Sequence, residues 1–78
     1  MKVTVYILQY PDGRFYIGQT NNLSDRLERH NQGRVPYTKG KGSWILVHQE
    51  EYMNRADAMR REKQVKKWRR ALIQSLIG

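Results

Sequence analysis

The sequence predicts an α/β (α+β) domain in which a three-stranded antiparallel sheet is flanked by helices, and three observations carry that reading. Two strand-like runs, Val3–Leu8 and Arg14–Gly18, are joined by Tyr10-Pro11-Asp12-Gly13, a tight-turn composition. A third apolar run starts at Trp44 and continues to Tyr52 with growing polarity. The stretches Leu23–Gln32, Arg55–Trp68 and Ala71–Ile77 read as helices.

In the first strand the period of two sends Val3, Val5 and Ile7 to one face and Thr4, Tyr6 and Leu8 to the other. In the turn, Pro11 presets φ, Asp12 can bond the backbone ahead of it, and Gly13 accepts positive φ. On the return strand Phe15 and Ile17 share one face and Tyr16 takes the other, so Tyr6 and Tyr16 are expected side by side across the ladder. Gly18 reads equally as a strand terminator or as a point of close approach. Asn22 is the expected N-cap of the first helix, with Asp25 in its first turn and Gly33 as its stop. Leu23 and Leu27 are expected to face the core, with Arg26 and His30 on one flank of that stripe. The stretch from Gly33 to Ser43 reads as a basic loop carrying Arg34, Lys39 and Lys41, and Asn54 as the cap of the second helix.

A chain of 78 residues is expected to form one domain over 1–78, and at this size it buries only ~60% or a little more of its unfolded surface. The absence of cysteine excludes disulfides and thiolate metal sites. The opening MKVTVYIL is too short an apolar run for a signal segment, and no window approaches a membrane span, which together predict an intracellular, cytoplasmic protein. Lys plus Arg number 15 against 7 acidic residues, a net charge of +8. Residues 53–78 concentrate eight of those basic residues against Asp57 and Glu62 alone. Such a stripe fits a polyanion, either nucleic acid or an anionic membrane surface. The helix lacks the broad bulky apolar arc of an interfacial helix, which favours nucleic acid.

Within this stripe Glu62 is the residue out of place. On the helical wheel it lies between Ala58 and Val65 on one side and Met59 on the other, on the inward arc, where a carboxylate is costly unless it pairs with a neighbouring Arg or Lys, binds a cation or sits at a solvent-facing end of the stripe. The two tyrosines are either a cross-strand packing pair or phenols beside a phosphate. Arg26 is either solvated or a forked donor to phosphate, and His30 either packs on the helix flank or assists chemistry. His48 has no partner in the sequence and reads as structural. A single well-placed acid argues against a two-metal carboxylate nuclease.

Taken in order, these residues resemble the GIY-YIG nuclease superfamily. Val5-Tyr6-Ile7 stands at the first motif, and Tyr16-Ile17-Gly18 matches the second outright. Arg26 is similar to the catalytic arginine of the family, His30 to the histidine four residues later in several members, and Glu62 to the metal-binding glutamate of the later helix. The resemblance covers nearly the whole chain and is strongest to small, single-domain YhbQ-like bacterial proteins, with a related likeness to the catalytic domain of the structure-specific nuclease Slx1. Two departures stand out: Val5 replaces the glycine of the first motif, and Gln74 stands where many members carry an asparagine.

The resemblance implies a divalent-metal-dependent DNA endonuclease of low sequence specificity, with a place in DNA repair or recombination and with branched, single-stranded and plain duplex DNA all open as substrates. Glu62 would hold one Mg²⁺ or Mn²⁺, with Tyr6 or Tyr16 taking the proton of the attacking water. Arg26 would neutralise transition-state charge and His30 would assist a tyrosine. Arg34, Lys39, Lys41, Arg61, Lys66, Lys67 and Gln74 would contact the nucleic acid. The alternatives are a non-catalytic nucleic-acid-binding module and a nuclease subunit that needs a protein partner.

Overall fold

The computed structural model describes residues 2–11, 13–31 and 45–77. In chain order the elements are β1 (Val3–Gln9), β2 (Phe15–Thr20), α1 (Leu23–Asn31), β3 (Ile45–Tyr52), α2 (Arg55–Lys66) and α3 (Arg70–Ile77). The three strands form one antiparallel sheet in the order β2-β1-β3. Among the described residues the architecture is therefore a three-stranded antiparallel sheet with three helices, as the sequence predicts.

The central position of β1 explains its composition. Every residue from Val3 to Leu8 is buried, because both faces of that strand are covered. On one face Val3, Val5 and Ile7 join Ile17, Ala58, Val65 and Ile73 in the apolar core, with Phe15, Val47 and Trp68 packed against it. Burial of each such aliphatic side chain contributes about 1.5–3 kcal/mol. The other face carries Thr4, Tyr6 and Leu8, and there the buried polar residue of α1 is His30.

The turn closes as its residues dictate. The amide of Gly13 donates to Tyr10 O (2.8 Å), that of Tyr10 donates to Arg14 O (3.0 Å), and Gly13 adopts φ of 90°. Arg14 is thus spent closing the turn, which is why β2 starts at Phe15 rather than Arg14. Asp12 lies outside the described residues. The strand also runs past Gly18 to Thr20.

Both expected caps form. Asn22 Oδ1 accepts from the Asp25 amide (3.1 Å), and Asn54 Oδ1 accepts from the Asp57 amide (2.9 Å). α2 ends two residues before the expected Trp68: the amides of Lys67 and Trp68 turn back to Gln64 O and Val65 O, tightening the last turn. Leu23 and Leu27 depart from expectation. Both are only half-buried and neither belongs to the apolar core: α1 meets the sheet through His30 at Tyr6 and Tyr16, while α2 packs Ala58 and Val65 on the Val5 face. The ends of two predicted elements, Gln32 and Trp44, and the basic loop with Arg34, Lys39 and Lys41 lie outside the described residues. No helix among the described residues is long and apolar enough to cross a membrane.

Candidate active site

The strand register decides how the two tyrosines meet. Tyr6 pairs with Gly18 and Leu8 pairs with Tyr16, so the phenols are diagonal neighbours rather than direct partners, a correction to the side-by-side expectation. Their ring centroids are 6.1 Å apart. Gly18 has the second of its two readings: a Cβ there would stand 2.7 Å from Tyr6 Oη and 3.1 Å from Tyr16 Cε1. The bare glycine lets the Tyr6 ring lean across β2.

His30 completes the cluster from α1. Its Nε2 and Tyr6 Oη share a buried hydrogen bond of 3.0 Å. Its ring meets Tyr16 edge-on at 4.9 Å and Tyr6 edge-on at 5.9 Å. Tyr6 is 1% exposed, whereas Tyr16 is only partly buried. The cluster therefore has an inner phenol and an outer one.

The charges around Tyr6 are those singled out from the sequence. Burial pushes its phenol well above the usual tyrosine range, with Tyr16 and Glu62 pushing the same way and Arg26 opposing them. A hydrogen bond to Tyr16 is part of that effect. His30 is pushed down, first by burial and then by Arg26. At neutral pH the resting pair is therefore a neutral phenol and a neutral imidazole. Arg26 and Glu62 both lie within electrostatic reach of Tyr6, one positive and one negative. Arg26 is half-buried and pairs with no carboxylate among the described residues.

Glu62 is held in, not released to solvent: its side chain is 15% exposed and bonds Lys66 Nζ at 2.7 Å, while Lys66 itself is 54% exposed. No group of three or more His, Cys, Asp or Glu able to hold a metal occurs among the described residues. One shielded carboxylate that acts electrostatically on the Tyr6 phenol and is paired with a half-exposed ammonium suits a hard cation of the Mg²⁺ kind. Such ions are commonly bound through one or two carboxylates, with waters and substrate phosphates completing the shell.

The remaining predicted residues are dispersed. Arg61 is committed elsewhere: its Nε and Nη2 donate to the two oxygens of Glu50 at 2.9 and 3.1 Å, and its guanidinium lies 4.9 Å over the Trp68 ring. Lys67 and Gln74 are exposed on the outer surface of the helical layer.

The sequence reading missed the Glu50 cluster. Tyr52 Oη donates to Glu50 Oε1 (2.6 Å), and His48 Nε2 lies 2.8 Å from Oε2, so His48 does have a partner. The donors from Arg61 hold the Glu50 carboxyl at about 2, against the opposing effect of burial and with help from Tyr52 and His48. The signal was present as His48, Glu50 and Tyr52 at alternate positions on one face of β3.

Comparison with known proteins defines the class. Residues 2–75 match the GIY-YIG catalytic domain, and the chain belongs to that family. It thereby falls in a superfamily of nucleases that generally use a divalent metal, and a nucleic acid is the substrate this implies. Within the family it groups with the small UPF0213, YhbQ-like proteins. It is 43% identical over 75 residues to a UPF0213 protein of Clostridium perfringens, covering 95% of this chain and 81% of that one. It is 36% identical over 74 residues to a UPF0213 protein of Halobacterium salinarum, covering 94% and 96%. The solution structure of a UPF0213 protein from Bacillus halodurans superposes with a TM-score of 0.65 at 35% identity, covering 99% of this chain and 83% of that one.

Proposed function

We propose that the chain is a divalent-metal-dependent endonuclease that hydrolyses DNA phosphodiester bonds with low sequence specificity. The observation that carries the reading is the Tyr6–His30 hydrogen bond at 3.0 Å, with Arg26 and Glu62 both acting on the same phenol. Arg26 and Glu62 are the charges of opposite sign that act on the Tyr6 phenol, one suited to a phosphate and the other to a cation.

Tyr16, Tyr6 and His30 form a proton relay in this mechanism. As water oxygen bonds to phosphorus, its proton passes to the Tyr16 phenol. Tyr16 hands its own proton to Tyr6, and Tyr6 hands its own to the unprotonated Nε2 of His30. No free phenolate is needed, which suits a phenol raised by burial. The bond from phosphorus to the ester oxygen breaks, the leaving oxygen takes up a proton from water to become the alcohol, and the lowered pKa of His30 favours loss of the relayed proton to solvent. Arg26 offsets the negative charge that grows on the phosphoryl oxygens. Glu62 would hold one Mg²⁺ or Mn²⁺, which when bound supplies Lewis-acid stabilisation of the phosphate and leaving oxygen. The net charge of +8 supplies non-specific attraction to the flanking phosphates.

The test is incubation of the purified chain with Mg²⁺ or Mn²⁺ and supercoiled, linear, branched and single-stranded DNA, alongside Glu62→Ala. Cleavage that vanishes in the variant supports the reading, and cleavage that the variant retains overturns it. A second reading, a binding module or a subunit that needs a partner, draws on the Lys66–Glu62 pair, because Lys66 already satisfies the carboxylate. Binding without cleavage across the whole panel would favour it.

A further inference from the structure

A cleft of about 460 Å³ opens between the β1–β2 turn and the junction of α2 with α3. Its volume lies within the range of small-ligand sites. The floor is apolar, built from Phe15, Ile17 and Ile73, and Arg14, Lys66 and Arg70 stand around it. None of the described residues lining it is acidic. Arg70 lies 5.9 Å over the Phe15 ring, and it can lie there because Gly13 has no side chain: a Cβ at Gly13 would collide with its guanidinium. Two residues join this cleft to the candidate active site. Tyr16 forms part of its wall, and Lys66 is the ion-pair partner of Glu62.

We infer that this cleft binds one nucleotide of the strand being cut, its base against Phe15, Ile17 and Ile73 and its phosphate between Arg14 and Arg70. A nucleobase has a π-face that stacks on aromatic rings and guanidinium planes alike, and a phosphate takes the forked donors of arginine. Inorganic phosphate would leave the apolar floor unused, and a neutral apolar ligand would leave the cations unused. That the nucleotide belongs to the strand being cut rests on the endonuclease reading. The affinity of the cleft for a nucleotide does not, so binding is measured without metal and without cleavage.

The experiment is a titration of the ¹⁵N-labelled chain in EDTA with thymidine 5′-monophosphate, with thymidine and with inorganic phosphate, followed by amide chemical shifts. The mononucleotide is expected to move Gly13 to Ile17 and Ile73 in one saturable process, roughly tenfold tighter than either fragment. Arg70→Glu, at an exposed position, should weaken that binding roughly tenfold, whereas Lys63→Glu, outside the cleft, should change it less than about twofold. Shifts spread evenly over the basic helices, a mononucleotide no tighter than phosphate, or an unaffected Arg70→Glu would each overturn the inference. Cleavage assays on the same proteins then report separately: loss of cleavage with intact nucleotide binding would remove the endonuclease reading and leave the cleft standing.

Discussion

Tyr6 and Gly18 face each other across the β1–β2 ladder, and the missing side chain of one is the space occupied by the ring of the other. Gly18→Ala places a Cβ 2.7 Å from Tyr6 Oη, and the ring cannot retreat freely, because it is buried and bonded to His30. Overpacking of this kind costs about 1–3 kcal/mol. Urea denaturation should show that loss, and misplacement of the relay should lower single-turnover cleavage on the order of 10²-fold. Full activity and an unchanged midpoint in Gly18→Ala would mean that the ring does not need this space.

His30 gives a pH dependence of defined sign. Its folded-state pKa lies below the ordinary 6.5, from burial first and Arg26 second. Below 6.5 the unfolded chain binds the extra proton before the folded one does, so stability falls with acidification from that point down to the folded value. The relay needs Nε2 unprotonated, so the acid limb of the cleavage rate should also lie below 6.5. His30→Gln should remove both slopes. An acid limb at or above 6.5 in the parent chain would exclude His30 as the acceptor.

Much of this site is legible before any coordinates, and the boundary has a physical cause. Alternation puts Tyr6 opposite Val5 and Ile7, helical spacing puts Arg26 beside His30, and the wheel puts Glu62 next to Ala58 and Val65 on the inward arc; each is a local property. The diagonal offset of Tyr6 and Tyr16 is not local, since the register hangs on where the turn closes, and it closes through Arg14 O. The face that α1 covers is decided by the whole sheet, which is why Leu23 and Leu27 are not in the core with Val65. Arg61 looks like any other cation of a basic helix until Glu50, eleven residues earlier on β3, is brought under it.

The Glu50–Arg61 pair predicts an acid transition separate from that of His30. The Glu50 carboxyl is depressed from 4.5 to about 2, so its stabilisation is complete above 4.5 and is lost as pH falls from 4.5 toward 2. Both side chains remain 21% exposed, and screening by water reduces the contribution to about 1–2 kcal/mol. Glu50→Gln should lower the denaturation midpoint at pH 7 and flatten the stability profile below pH 4.5. A profile unchanged by the substitution would show that the pair adds nothing to folding.

Salt dependence separates the basic residues by their partners. Lys67 is exposed at the end of α2, while Arg61 gives its forked donors to Glu50. Removing one cation from a DNA phosphate should reduce the slope of log K against log salt by about 0.7–0.9. Lys67→Ala is expected to reduce it by that amount. Arg61→Met is expected to destabilise the fold and leave the slope near its original value. The reverse ranking, measured by fluorescence anisotropy on a short DNA, would place Arg61 on the nucleic acid.

Lys66 and a metal ion compete for the same carboxylate. The ammonium sits 2.7 Å from Glu62 Oε2, so cation binding at Glu62 must displace it. Lys66 is more than half exposed and free to swing away, which keeps the pair worth only about 0.3–0.5 kcal/mol, as for other i,i+4 pairs. Removing the ammonium with Lys66→Met should therefore tighten Mn²⁺ binding roughly twofold, and Glu62→Gln should abolish it. Water-proton relaxation enhancement by Mn²⁺ measures both without reference to catalysis. Mn²⁺ bound equally by the parent and the Glu62→Gln variant would move the metal away from α2, and with it the role assigned to this carboxylate.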